Sequence, residues 1–197
     1  MIRKYSISFK LYQLNKYSDQ ELLEQAAADS GLSSYRCPFC GNRKHFRRIN
    51  PYERQMITVK NSKRVVVPVF IPRVQCTVCS SSHSCLPDNL IPFSSYTLRF
   101  ILTVLSEYLS RSDTTVNLLC DKWQIAVSTL YTWIRLFSEH FSLWKKSADT
   151  VIPLSKETLR QVYDTERFPA LFFEITGFSF LQCSCKNPRP HSGPAPL

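Results

Sequence analysis

Cys37 and Cys40 stand three positions apart, and so do Cys76 and Cys79. Each Cys-x-x-Cys pair has the spacing at which two thiolates on one turn can grip one ion. Together the pairs supply the four thiolates that a tetrahedral structural Zn²⁺ prefers. One pair alone would say little, because redox motifs share that spacing. Two pairs with strand-like sequence between them point to one shared site. Cys37-Pro38-Phe39-Cys40-Gly41 also suits a tight knuckle turn, since Pro fixes φ at its start and Gly tolerates positive φ at its end. A closed four-thiolate site leaves no position for water, so the zinc is expected to hold structure and do no chemistry. His83 and Cys85 follow the second pair and offer substitute ligands, although the second pair already completes the set. Cys120 reads as a packed thiol on an inward helix face. Cys183 and Cys185 have poor chelate spacing.

The elements that must position these thiolates follow from pattern. Residues 1–34 form an N-terminal arm, in which Ser18 and Glu21 make a capping box for a short helix ending near Gly31. Residues 35–90 read as a four-cysteine zinc ribbon, a small sheet with a knuckle at each end. His45–Ile49 and Met56–Val59 are its strand candidates, with a turn at Asn50-Pro51. Arg64–Gln75 leads into the second knuckle as an edge or bent strand, because it contains Pro68 and Pro72.

Residues 91–182 change to helical grammar. Ser94 or Ser95 caps a helix from Tyr96 to about Leu109. Ser112-Asp113 restarts a helix over Thr114–Trp123. Gln124–Val127 is a turn, and Ser128 caps a third helix from Thr129 to about His140. Leu154–Val162 reads as a helix capped by Ser155, and Phe168–Phe173 as an apolar stretch docked on the core. Residues 183–197 form a Pro-rich tail expected to be disordered. The fold class is therefore α+β, a zinc-ribbon sheet followed by a mostly helical domain.

Thr114–Phe137 has the size and rhythm of a helix-turn-helix. Trp123, Ile125, Leu130, Trp133 and Ile134 can form its small core. Ser128, Thr129, Thr132 and Arg135 would then face outward. Their hydroxyls suit phosphate or base edges, and Arg135 suits a guanine. Tyr131 and Lys122 are candidate backbone clamps. Arg43, Lys44, Arg47 and Arg48 follow the first knuckle and can grip phosphate. The chain carries a formal charge of +10 over 197 residues, and four thiolates with one dication would lower it only to +8. A basic zinc protein without an apolar span or signal peptide points to double-stranded DNA, in the cytoplasm and associated with the nucleoid. Eight cysteines suit a reducing compartment if four hold metal.

The order of motifs resembles a family of transposon-associated proteins from low-GC Gram-positive bacteria. The resemblance is carried by Cys37-Pro38-Phe39-Cys40-Gly41, by Arg73-Val74-Gln75-Cys76-Thr77-Val78-Cys79, by Leu86-Pro87 with Leu90–Ser94, and by Val127–Ile134. That last segment also resembles the DNA-binding part of many insertion-sequence transposases. Ser80 departs from the pattern, since such ribbons often carry Gly after the second knuckle. The resemblance implies a DNA-binding accessory of a transposable element, with a transposase or recombinase as partner and a homodimer admitted. A transposase's catalytic domain needs three carboxylates on a sheet to hold two metal ions. About 60 residues after Phe137 are too few for one, and Asp149, Glu157, Asp164, Glu166 and Glu174 read as solvated acids. The expectation is a non-catalytic protein. A transcription regulator of the same architecture and a zinc-ribbon interaction adaptor are the alternatives.

Overall fold

A long β-hairpin organises the ribbon. In the computed structural model, which describes residues 2–3, 21, 36–86, 90–112, 114–147 and 150–183, strand β2 (Phe46–Lys60) pairs antiparallel with β3 (Lys63–Cys76). Asn61 and Ser62 join them, both with positive φ, as a two-residue hairpin turn with matching twist requires. A short β4 (Ser82–Leu86) pairs antiparallel with β3 through Arg73–Gln75, and β1 (Ile2–Arg3) runs parallel along β4. The sheet order is β1-β4-β3-β2.

The two strands expected around Asn50-Pro51 are one strand. Ile49 pairs with Arg73 and Tyr52 with Ile71, so Asn50 and Pro51 together oppose Pro72. That is a β-bulge, and neither proline owes an N–H to the ladder there. The Asn-Pro turn signal is overridden because cross-strand pairing on both sides continues through it. The antiparallel hairpin also brings both knuckles to the same end of the sheet, since Phe46 lies opposite Cys76.

Three of the helices begin where a side chain caps them. Helix α1 (Leu98–Ser110) starts at Thr97, whose hydroxyl accepts the Phe100 N–H at 3.2 Å. Ser94 and Ser95 are not its cap. Ser95 O instead accepts the Ile57 N–H at 2.7 Å, and Ile57 O accepts the Thr97 N–H at 3.0 Å. The chain thus pairs briefly with β2 before it turns helical, which joins sheet and helices. Helix α2 (Val116–Trp123) is capped by Thr115 rather than by Ser112 or Asp113; Asp113 lies outside the described residues. Gln124 takes a left-handed conformation at φ 50 and ends it.

Helix α3 (Val127–Trp144) begins earlier and ends later than its pattern suggests. Ala126 is its N-cap, without a side-chain bond, and Ser128 lies inside the first turn. Burial of Ile125 fixes a turn of only Gln124–Ala126, so packing outweighs cap preference. At the far end Phe141 and Trp144 continue the stripe of Phe137 into the core. Ser138 and Ser142 then receive the N–H groups of Leu154 and Ile152 at 3.0 and 2.7 Å. The returning chain is held along α3 until α4 (Lys156–Asp164), which Ser155 caps in a capping box with Thr158. Helix α5 (Phe168–Thr176) makes a true helix of the apolar stretch.

The main core lies among these helices. Phe100, Trp123 and Trp133 meet edge-on at one end, while Phe137, Phe141, Phe168, Phe172 and Phe180 interlock at the other. Ile57 and Val59 of β2 pack against it. By contrast the knuckle end has only Cys37, Phe46, Val74, Cys76 and Cys85 for a core. The arm helix, apart from helical Glu21, lies outside the described residues, as does the tail from residue 184. Among the described residues no helix is long and apolar enough to cross a membrane.

Candidate metal centre and nucleic-acid interface

The two knuckles are built alike. Cys37 N–H bonds to Asn42 O at 2.8 Å, and Cys76 N–H bonds to Ser81 O at 3.0 Å. Gly41 takes φ 72 after the first pair, and Ser80 takes φ 59 at the equivalent place after the second. Glycine adopts that conformation freely; serine does so at a cost. The two knuckles bring their four sulfurs within 4.8 Å of one another, with Cys37 and Cys76 buried and Cys40 exposed. Cys37 Sγ is 3.6 Å from Cys79 Sγ, and Cys40 Sγ is 3.7 Å from Cys76 Sγ. Disulfides need about 2.05 Å. A tetrahedral ion with metal–sulfur bonds of about 2.3 Å sets its sulfurs about 3.8 Å apart. The donor set therefore fits a four-thiolate metal ion.

The thiols' acidity agrees. Ser81 hydrogen bonds hold Cys79 down to about 6. The Asn42 backbone favours the Cys40 thiolate, but burial and the neighbouring thiols together push Cys40 up to about 12. Four crowded sulfurs cannot all ionise alone, and a dication removes that conflict.

His83 stands behind the site. Its Nε2 is 3.3 Å from Cys37 Sγ, the ring is buried, and burial lowers its pKa. Against an ionised Cys37 sulfur, Nε2–H is the group able to donate. His83 thus takes the place of an outer hydrogen-bond partner, whereas Cys85 packs into the small knuckle core. Cys120 is a buried helix thiol whose pKa burial raises. Cys183 is half-buried, and Cys185 lies outside the described residues.

The residues expected to touch nucleic acid separate into two environments. On α2 and α3, Ser128, Tyr131, Lys122 and Arg135 are exposed, while Thr129 and Thr132 are half-buried. Thr132 donates its hydroxyl to Ser128 O at 2.8 Å. Arg135 is paired with Glu139 at 2.9 Å, and Lys122 with Glu107, which also accepts the Trp123 indole N–H at 2.9 Å. Both cations are therefore matched by carboxylates. On the ribbon, Arg43, Lys44, Arg47 and Arg48 are exposed. Arg47 Nε and Nη2 both donate to Gln75 Oε1, at 2.9 and 2.6 Å, and Gln75 Nε2 donates to Ser80 O at 2.8 Å.

Formal charge follows the same division. Residues 36–86 contain ten Lys and Arg against one acid, whereas residues 90–183 contain nine of each. Two residues escaped sequence reasoning. Arg73 is hidden in an apolar run, and Gln75 matters only through a partner 28 positions away. The acids weighed for catalysis, Glu157, Asp164, Glu166 and Glu174, are exposed on or beside α4 and α5, and Asp149 lies outside the described residues. Among the described residues the four cysteines are the one group gathered to hold a metal.

Residues 37–133 match a family model described as "Domain of unknown function (DUF6431)". The match runs from the first thiolate to Trp133 on α3, just under half of the chain, and leaves α4 and α5 outside. No curated protein and no solved structure is detectably similar to the chain.

Proposed function

We propose that this chain is a non-catalytic protein that binds double-stranded DNA, with a structural Zn²⁺ at Cys37, Cys40, Cys76 and Cys79. The observation that carries the reading is the charge on the metal-held ribbon, ten cations against one acid over residues 36–86. Such a density of unmatched Lys and Arg on one small sheet is the footprint of a polyanion partner. Zinc suits the site because it accepts four thiolates in a tetrahedron and has no redox chemistry. In this reading Arg43, Lys44, Arg47 and Arg48, beside the first knuckle, hold phosphates. Ser128 and Arg135 on α3 approach base edges, with Arg135 exchanging Glu139 for its target, while Tyr131 clamps the backbone. The order of knuckles, linker and helices supports a role as an accessory or recognition component of a bacterial transposable element, acting with a recombinase at the nucleoid.

Selection of bound duplexes from a random pool, with zinc-loaded protein at moderate salt, tests this. The expected result is salt-sensitive binding with an enriched motif that matches transposon ends. An enriched motif in promoter regions would point to a transcription regulator instead.

One observation favours a second reading. Phe39 and Val78, at the tips of the two knuckles, are 58% and 56% exposed. An adaptor could seat them on a protein partner. Binding to that partner would be insensitive to salt, and no duplex would be retained.

A further inference from the structure

Arg47, Arg48 and Arg73 line one open groove of about 490 Å³, together with Ile49 and Asn50. The groove lies at the β-bulge. Arg47 opposes Gln75 and Ile49 opposes Arg73, so Arg47 and Arg73 share a face of the ladder, while Arg48 starts from the other. The added twist of a bulge is what lets side chains of both faces meet there. Among the described residues no carboxylate pairs with any of the three.

Arg47 is held in place without losing its charge. Its partner Gln75 is a neutral amide, and that amide is anchored in turn to Ser80 of the second knuckle. A guanidinium fixed this way keeps donors free and pays little to order them when an anion arrives. Three cations around one concave surface, one of them fixed in this way, match the charge and oxygens of a phosphodiester.

We propose that this groove seats a backbone phosphate of double-stranded DNA, with Arg73 as a direct contact and Gln75 as the positioning residue for Arg47. The proposal rests on the DNA-binding reading and adds a defined site to it. It also links the metal to the grip, because the Cys76–Cys79 knuckle carries the Ser80 carbonyl that steadies Gln75.

The test measures affinity of the zinc-loaded full chain for a random-sequence duplex across a salt series. Arg73→Ala is compared with Gln75→Glu and Lys63→Ala. Lys63 lies at the other end of the hairpin, roughly 30 Å along the strand. Arg73→Ala should weaken binding roughly tenfold at low salt and lower the log–log salt slope by about one. Gln75→Glu removes no cation but sets a carboxylate against Arg47, lowering the groove's formal charge by one, and should do the same. It forfeits the amide's bond to Ser80, so bound zinc is measured alongside and should stay stoichiometric. Lys63→Ala should change affinity less than about twofold. If the wild type binds and all three variants behave alike, the groove is no privileged seat and this proposal falls while DNA binding stands. If the wild type binds no duplex, the DNA reading itself falls and takes the proposal with it.

Discussion

Arg47 and Arg135 are both exposed arginines held by a neighbour, and the neighbours differ in kind. Gln75 holds Arg47 through an uncharged oxygen, so the guanidinium is ordered and its charge survives. Glu139 holds Arg135 through a carboxylate one helical turn away, and the charge is matched. The same contrast runs through both regions. The ribbon has two small clusters of five buried residues each, one at the knuckles and one around Met56 and Ile71, with a gathered set of cysteines and nearly all the excess charge. The helical region has a deep aromatic core and no net charge. In the proposed reading a metal stabilises the first region where apolar burial stabilises the second. A sheet that small would otherwise bury too little surface to hold its cations apart.

The largest expected break in that contrast is loss of metal. Cys76→Ser, or a strong chelator, should unfold the knuckle end of the ribbon, since zinc binding supplies about 10 kcal/mol in small zinc folds. NMR should show the amide signals of residues 36–49 and 73–86 collapsing while the Trp123 and Trp133 indole signals keep their native shifts. Stoichiometric zinc in the mutant would discard the four-thiolate set. The reverse experiment is Phe172→Ala, in a side chain fully buried among Phe168, Phe178 and Phe180. It should cost about 3–5 kcal/mol in thermal or denaturant unfolding, with zinc content unchanged.

Acid should also strike the helical region. His140 is buried against Phe172 and Phe180, and its Nδ1 accepts the Leu181 N–H at 2.9 Å. Burial, with the Arg135 charge assisting, holds its pKa down to about 4 from 6.5. The unfolded chain then binds the proton more readily. The contribution of neutral His140 is complete above about pH 6.5, is lost progressively as pH falls, and is gone below about 4. The loss amounts to roughly 3 kcal/mol. Phe180 NMR signals in acid titrations should reveal it separately from metal loss, and His140→Asn should flatten the dependence. The smallest effect belongs to the second knuckle. Ser80→Gly relieves a serine held at φ 59 and should stabilise the zinc-loaded ribbon by about 1 kcal/mol, read as a higher melting temperature.

What could be read in the residues depended on how local its cause is. The four thiolates were legible because ligand spacing is chemistry within one turn. The Ser155 cap and the apolar Phe168–Phe173 segment were legible for the same reason. Asn50-Pro51 looked like a turn because turn grammar sees only neighbours, whereas a bulge is decided by the strand opposite. Ser128 looked like a cap because its side chain favours one, but burial of Ile125 set the turn. Arg73 and Gln75 stood only in a motif beside the second knuckle and gave no sign of a binding role, since that role exists only across the β2–β3 ladder. His83 was visible only as a substitute ligand; its place behind Cys37 needed the pairing of β4 with β3.

The proposed grip on DNA is the metal-held ribbon. Its most direct test is duplex binding across a salt series, with the same protein zinc-loaded and then stripped. The loaded protein should bind tightly and with salt sensitivity, with a log–log slope of about −3 or steeper for three or more phosphates. Stripping should abolish that slope, even though the helical core stays folded. Equal binding by loaded and stripped protein, or binding indifferent to salt, would contradict it.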